Sequence, residues 1–270
     1  HDQSSAASDV YKRQVLVDDP CYFNFRALLK VHQVKIIGIP YTPQGPDIEA
    51  FKQAIEQHHP RLYITNSGIH NPTGATLSQP TAHQLASLIE QANMIVIEDD
   101  IFSDFETAHS PRFSALDGLQ HSIYIGSFSK TLSASVRCGY IVAKAEWIDH
   151  LVDLKVATSF SHSHFSAQIL YKALTDGGYR KHMEQLKIKL SESMRITIEM
   201  LEKLEIKPWV IPKAGIFLWC ELPADVDIKK MADACNENGV ILALGSSFSQ
   251  SDRFQQFLRF NVAQCMHPDI

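Results

Sequence analysis

The run Ser122-Ile123-Tyr124-Ile125-Gly126-Ser127-Phe128-Ser129-Lys130 is strand-like through Ile125, turns on a glycine, and then delivers two serines and a lysine. A lysine at the end of a buried strand loses solvation, which lowers its pKa and frees the amine to attack an aldehyde. The serine hydroxyls can donate to a phosphate, and Arg137, seven residues on, can grip phosphate oxygens bidentately. The competing account is a surface turn with an incidental lysine and arginine. Ser-x-Ser-Lys alone does not separate the two.

The flanking texture places that run in a fold. Short strand-like runs at 15–17, 34–39, 62–65, 94–98, 123–125 and 140–143 alternate with helical windows at 48–56 and 82–91, where Leu85, Leu88 and Ile89 share one face. Such alternation predicts an α/β fold with a mostly parallel sheet covered on both faces. Ligands of such sheets sit where strands end. Beyond residue 144 come helical windows at 145–156, 165–174 and 179–204, then strands at 216–221, 240–243 and 257–262 around a helix at 228–238. The reading is a large domain over 15–150, then over 151–270 a long connecting helix and a smaller C-terminal α+β domain. Residues 1–14 are polar, Ser-rich and aperiodic, and read as a non-native segment outside the fold.

Composition excludes several classes. With 25 Lys and Arg against 30 Asp and Glu, a net charge of −5 and a pI near 6.2, there is no basic footprint for nucleic acid. Five cysteines at wide spacings with no Cys-x-x-Cys pair argue against a zinc site or disulfide framework and suit a reducing cytoplasm. No apolar run approaches the ~18–20 residues of a membrane span. His162 and His164 have no close carboxylate in sequence, and no metal site is expected.

Two further motifs stand at strand ends. Glu98, Asp99 and Asp100 form a row of three acids, costly unless something cationic is near. A pyridinium nitrogen would suit, since a neighbouring carboxylate keeps it protonated; helix capping is the competing account. His70-Asn71-Pro72-Thr73-Gly74 signals a tight turn that presents a side chain after the 62–65 strand.

In this order, Asn71-Pro72-Thr73-Gly74, Asp99, Ser127-Phe128-Ser129-Lys130, Arg137 and Leu258-Arg259-Phe260-Asn261 resemble the motifs of class I and II aminotransferases, built on the aspartate-aminotransferase fold. The gaps of 28 residues from Asn71 to Asp99 and 31 from Asp99 to Lys130 fit one βα unit each. The resemblance implies pyridoxal 5'-phosphate as cofactor, an amino acid and a 2-oxo acid as substrates, and a homodimer. It makes Lys130 the lysine that holds the cofactor as a Schiff base and moves the substrate proton. Asp99 becomes the partner of the ring nitrogen, Asn71 the donor to the ring hydroxyl, and Ser127, Ser129 and Arg137 the phosphate ligands. Arg259 takes the substrate carboxylate, and Tyr22, in Asp19-Pro20-Cys21-Tyr22, the place of the aromatic stacked on the ring.

Asp18-Asp19-Pro20-Cys21-Tyr22, Ile97-Glu98-Asp99-Asp100 and Ser129-Lys130-Thr131-Leu132 further resemble the MocR branch of the GntR regulators, where such a domain follows a winged helix-turn-helix. That resemblance implies an alternative function, effector sensing, with DNA contacted only through a module outside these residues. Ile101 and Phe102 stand where the family carries a tyrosine, which weakens the expected contact to the ring hydroxyl. The family's phosphate-capping loop and first strand are expected upstream of Val15, so residues 15–270 alone are expected to bind the cofactor weakly, turn over poorly and aggregate.

Overall fold

β1 (Gln14–Asp19) is apolar from Val15 to Val17, and such a strand persists only when both faces are covered. In the computed structural model, which describes residues 14–265, β1 pairs in parallel with β2 (Lys35–Thr42) on one side and β4 (Leu62–Thr65) on the other. The parallel set continues through β5 (Ile95–Asp99) to β6 (Ser122–Ser127). Antiparallel strands β3 (Gly45–Pro46) and β7 (Gly139–Val142) flank it, giving the order β3-β2-β1-β4-β5-β6-β7. The chain runs outward from β1 to β2 and then crosses back to β4. Strand order therefore reverses between β1 and β4, where α/β sheets open a crevice at their carboxyl ends.

Helices α1 (Phe23–Val31), α2 (Ile48–His58), α3 (Gln79–Gln91) and the short α4 (Phe113–Leu116) connect these strands. Asp47 accepts from the Ala50 N–H to start α2, and Ser78 caps α3. One face of the sheet packs Leu16, Ile39, Phe51, Tyr63, Leu85 and Met94, and the other Val15, Val17, Leu29 and Ile64.

The remaining chain forms α5 (Ala145–Ser159), α6 (His164–Thr175) and the long α7 (Gly178–Glu202), followed by β8 (Lys207–Pro208), β9 (Phe217–Glu221), α8 (Ile228–Glu237), β10 (Ala243–Leu244) and β11 (Phe257–Asn261). Its four strands make an antiparallel sheet in the order β10-β11-β9-β8. Met183, Leu190, Met194 and Leu201 of α7 pack in one cluster with Leu218 and Cys220 of β9 and with Ile69, Phe102 and Phe105 from loops of the first sheet. The two sheets therefore share a core.

Several expectations shift. β1 begins at Gln14, inside the stretch read as non-native, and residues 1–13 lie outside the described residues. α1 has no counterpart in the sequence reading; of its nine residues only Leu29 is buried. β10 is two residues long, not the run 240–243: Gly239 turns at φ +80° and leaves Ile241 87% exposed. The division at 150 falls within α5.

Phe51 is fully buried and meets Tyr63 edge-on at 5.0 Å. Phe51→Ala should lower the unfolding free energy by about 3–5 kcal/mol, and Lys52→Ala, on the exposed side of α2, by less than about 0.5 kcal/mol. Urea unfolding of both variants checks this; equal midpoints would show that Phe51 does not carry that core.

Candidate active site

Parallel strands align their carboxyl ends, so Asp18 and Asp19, Thr65, Asp99 and Ser127 fall along one edge of the sheet. The three acids at β5 divide their work there. Glu98 is fully buried and accepts from Phe113 N at 2.9 Å, Ser114 N at 3.0 Å, Ser114 Oγ at 2.9 Å and Ser67 Oγ at 2.5 Å. Asp100 accepts from Arg112 Nε at 2.5 Å and Tyr124 Oη at 2.8 Å, and Arg112 also reaches Glu106 at 2.8 Å. Asp99 is left with the Ile101 N–H at 3.3 Å, its one side-chain hydrogen bond among the described residues. Helix capping thus belongs to Glu98. Burial pushes the Asp99 carboxyl up to about 6, against the pull of the Ile101 N–H and of Asn66, whose Nδ2 donates to the Asp99 backbone oxygen at 2.9 Å. Burial also raises Asp100 to about 6, against the pull of Arg112.

Asn71 and Arg259, 188 residues apart, meet directly: Arg259 Nη1 donates to Asn71 Oδ1 at 2.8 Å. The guanidinium lies between two rings, 4.1 Å from the centroid of Phe217 and 4.8 Å from that of Phe248. Its Nε–H is buried with no hydrogen-bond partner. Burial lowers the Arg259 pKa to about 10, with only Tyr22 offsetting it. A half-buried cation with an orphaned donor and, among the described residues, no carboxylate partner is costly, and an anionic ligand would relieve it. Because Asn71 Oδ1 is engaged, its amide N–H groups remain as donors.

Tyr22 precedes α1, accepts from Asn24 Nδ2 at 3.0 Å, and stands edge-on to Phe23 and Phe25. At the end of β6, Ser127 Oγ donates to Ser129 Oγ at 3.1 Å and accepts from Ser129 N at 3.2 Å. Arg137, in the left-handed region at φ +49°, is exposed. Lys130 corrects the sequence reading: it lies three residues past β6 and is exposed, so the strand end does not desolvate it. The fold brings Tyr22, Asn71 and Arg259 together, and sets Asp99 and the Ser127–Lys130 turn on the same edge. Phe102, one of the two residues standing where the family carries a tyrosine, is buried and meets Phe217 edge-on at 5.5 Å, supporting the ring beneath Arg259.

Sequence reasoning missed Asp18 and His70. Asp18 is 1% exposed and accepts from Tyr63 Oη at 2.5 Å and Thr65 Oγ1 at 2.7 Å, while His70 Nε2 lies 3.3 Å from it. An acid following Val15-Leu16-Val17 in a buried strand was the available signal, since it needs partners.

A family model for aminotransferase class I and II matches residues 6–270. The HTH-type transcriptional regulator YdfD of Bacillus subtilis is 28% identical over 260 residues, covering 95% of this chain and 54% of YdfD. The HTH-type transcriptional regulator NorG of Staphylococcus aureus is 28% identical over 218 residues, covering 80% of this chain and 49% of NorG. The chain thus spans about half the length of the curated relatives it matches. Among solved structures, the α-aminoadipate aminotransferase LysN of Thermus thermophilus, complexed with N-(5'-phosphopyridoxyl)-L-leucine, superposes with a TM-score of 0.84 at 24% identity over 96% of this chain and 70% of that one. The kynurenine aminotransferase of Pyrococcus horikoshii gives 0.85 at 23% over 96% and 68%. A Thermus thermophilus aspartate aminotransferase variant gives 0.83 at 18% over 96% and 69%, and the fold is shared with all three.

Because the fold raises the Asp99 pKa from 3.8 to about 6, it favours the protonated form. The cost of the charge is absent below the lower value and fully present above the higher one. Asp99→Asn should therefore raise the thermal midpoint of the cofactor-free protein at about pH 7.5, and the gain should fade as pH drops toward about 4. Scanning calorimetry across that range measures it; a gain that does not change with pH would place its origin elsewhere.

Proposed function

This chain belongs to the class I and II aminotransferase family, and from that premise we propose that it binds pyridoxal 5'-phosphate and moves an amino group between an amino acid and a 2-oxo acid. The observation that carries the reading is the Asn71–Arg259 pair, a half-satisfied cation set on the sheet edge that also holds Asp99. The residues present fit the cofactor. Asp99 has a carboxylate otherwise engaged only by one backbone N–H, suited to a ring N–H⁺. Asn71 has spare amide donors for the ring oxygen, Ser127, Ser129 and Arg137 offer donors to a phosphate, and Tyr22 offers its ring. When bound, the cofactor supplies an electron sink for charge developing at the substrate Cα.

The chain's own residues do the rest. Arg259 grips the substrate α-carboxylate with its planar fork, oriented by Asn71 and by the two rings that hold it. Asp99 keeps the ring nitrogen protonated. Lys130, accessible at the turn after β6, would hold the cofactor and would take up the proton leaving the substrate Cα.

A second reading is favoured by the relatives. YdfD and NorG are HTH-type regulators of about twice this length, and the same site could sense an amino compound without turnover. In that reading DNA contact belongs to a separate helix-turn-helix module. In either, we assign a homodimer, supported by exposed Tyr140, Ile141 and Val142 on β7 and Val152 and Leu154 on α5, and a cytoplasmic setting, supported by five free cysteines.

Reduction of the loaded protein with borohydride should fix the pyridoxyl group on Lys130, and Lys130→Ala should abolish the visible absorbance; mass spectrometry placing the label on another lysine rejects the assignment. Arg259→Ala should weaken amino-acid binding by about 2–5 kcal/mol while sparing cofactor uptake. Release of 2-oxo acid separates the two readings: a sensor gives a spectral response without it.

A further inference from the structure

His70 is fully buried, and every contact of its ring is with another buried group. Nδ1 lies 2.7 Å from Thr73 Oγ1, Nε2 lies 3.3 Å from Asp18 Oδ2, and the ring of Tyr41 stacks on its face at 3.7 Å. Thr73 Oγ1 accepts from Ala75 N at 3.2 Å and shares a hydrogen bond with Nδ1, while Nε2 faces the Asp18 carboxylate. Asp18, receiving Tyr63 and Thr65, is a fixed post at the end of β1, and its carboxylate faces the imidazole edge at 3.3 Å.

The post holds a turn. His70 N donates to Ala75 O at 2.9 Å and Gly74 N donates to His70 O at 2.7 Å, so 70–75 is closed by backbone hydrogen bonds and by the His70–Thr73 side-chain contact. Asn71 is the residue this turn projects, and its Oδ1 receives Arg259. We propose that His70 is the positioning residue of the carboxylate clamp: through Asp18 and Thr73 it sets the turn that aims Asn71 at Arg259. Asn71 is the neighbour of His70 in the chain, so a tilt of the imidazole moves the amide directly, and a misplacement on the order of 1 Å at such a site can cost about a hundredfold in reactivity. Tyr41 confines the ring to one plane. This inference rests on the reading of Arg259 as the substrate-carboxylate ligand.

The test uses the whole chain loaded with pyridoxal phosphate and L-alanine as probe, with His70→Phe, Thr73→Val and Asn71→Ala. His70→Phe and Thr73→Val should each raise the half-saturating L-alanine concentration at least about tenfold, with the cofactor absorbance and thermal midpoint close to wild type. Adding Asn71→Ala to Thr73→Val should bring little further loss, because both act through one amide. Thr73→Val, nearly isosteric, carries the test if His70→Phe does not fold. Half-saturation within twofold of wild type, or losses that multiply, overturns the proposal. A wild-type protein that does not respond to L-alanine would count against the functional reading, and the clamp is then read without ligand. In ¹⁵N spectra of the cofactor-free protein, Thr73→Val should shift the Asn71 side-chain amide and the Arg259 Nε–H. Unmoved signals reject the positioning role.

Discussion

A guanidinium held between two phenyl rings, donating to a single amide oxygen, ties the antiparallel sheet to the parallel one. Arg259 comes from β11, Phe217 from β9, Phe248 from the loop after β10, and Asn71 from the turn after β4. Stripping a guanidinium of water is costly, and ring faces and one carbonyl repay only part of it. The arrangement survives because the surrounding packing over-determines it. Trp219, Phe254 and Phe257 press on Phe248 and one another, while Phe102 backs Phe217. The apolar core thus stores an unmet demand for an anion at one defined point.

The same logic runs through the carboxylates of the sheet edge. Glu98 accepts four hydrogen bonds, while Asp18 and Asp100 each accept two. Asp99, with one backbone N–H on its carboxylate, stands apart from Glu98 with its four donors and from Asp100 with its arginine. A row of acids that looks like one electrostatic problem is solved three separate ways within about 7 Å of chain at about 3.3 Å per residue.

Much of this was legible beforehand, for identifiable reasons. The strands β4, β5 and β6 announced themselves because parallel buried strands are continuous apolar runs, and Leu62–Thr65 matched to the residue. Asn71 and Arg259 were visible as motif members, but not that they touch: a contact across 188 residues leaves no local trace. The exposure of Lys130 was unreadable for a related reason, since whether a turn is covered depends on elements distant in sequence. His70 hid in plain view between a strand and a motif. Its partners Asp18 and Tyr41 come from two other strands, and no periodicity links them.

The wide separation of Asn71 and Arg259 also has a temporal meaning. A ribosome delivers β1 to β6 well before β11, and parallel pairings of high sequence separation form slowly even then. The first sheet, with its strand-edge turn already closed by local hydrogen bonds, can exist while the chain is still being made. The guanidinium that completes the clamp arrives with the last strand. If Arg259 takes the substrate carboxylate as proposed, a polypeptide released before residue 259 would lack the guanidinium that recognises it.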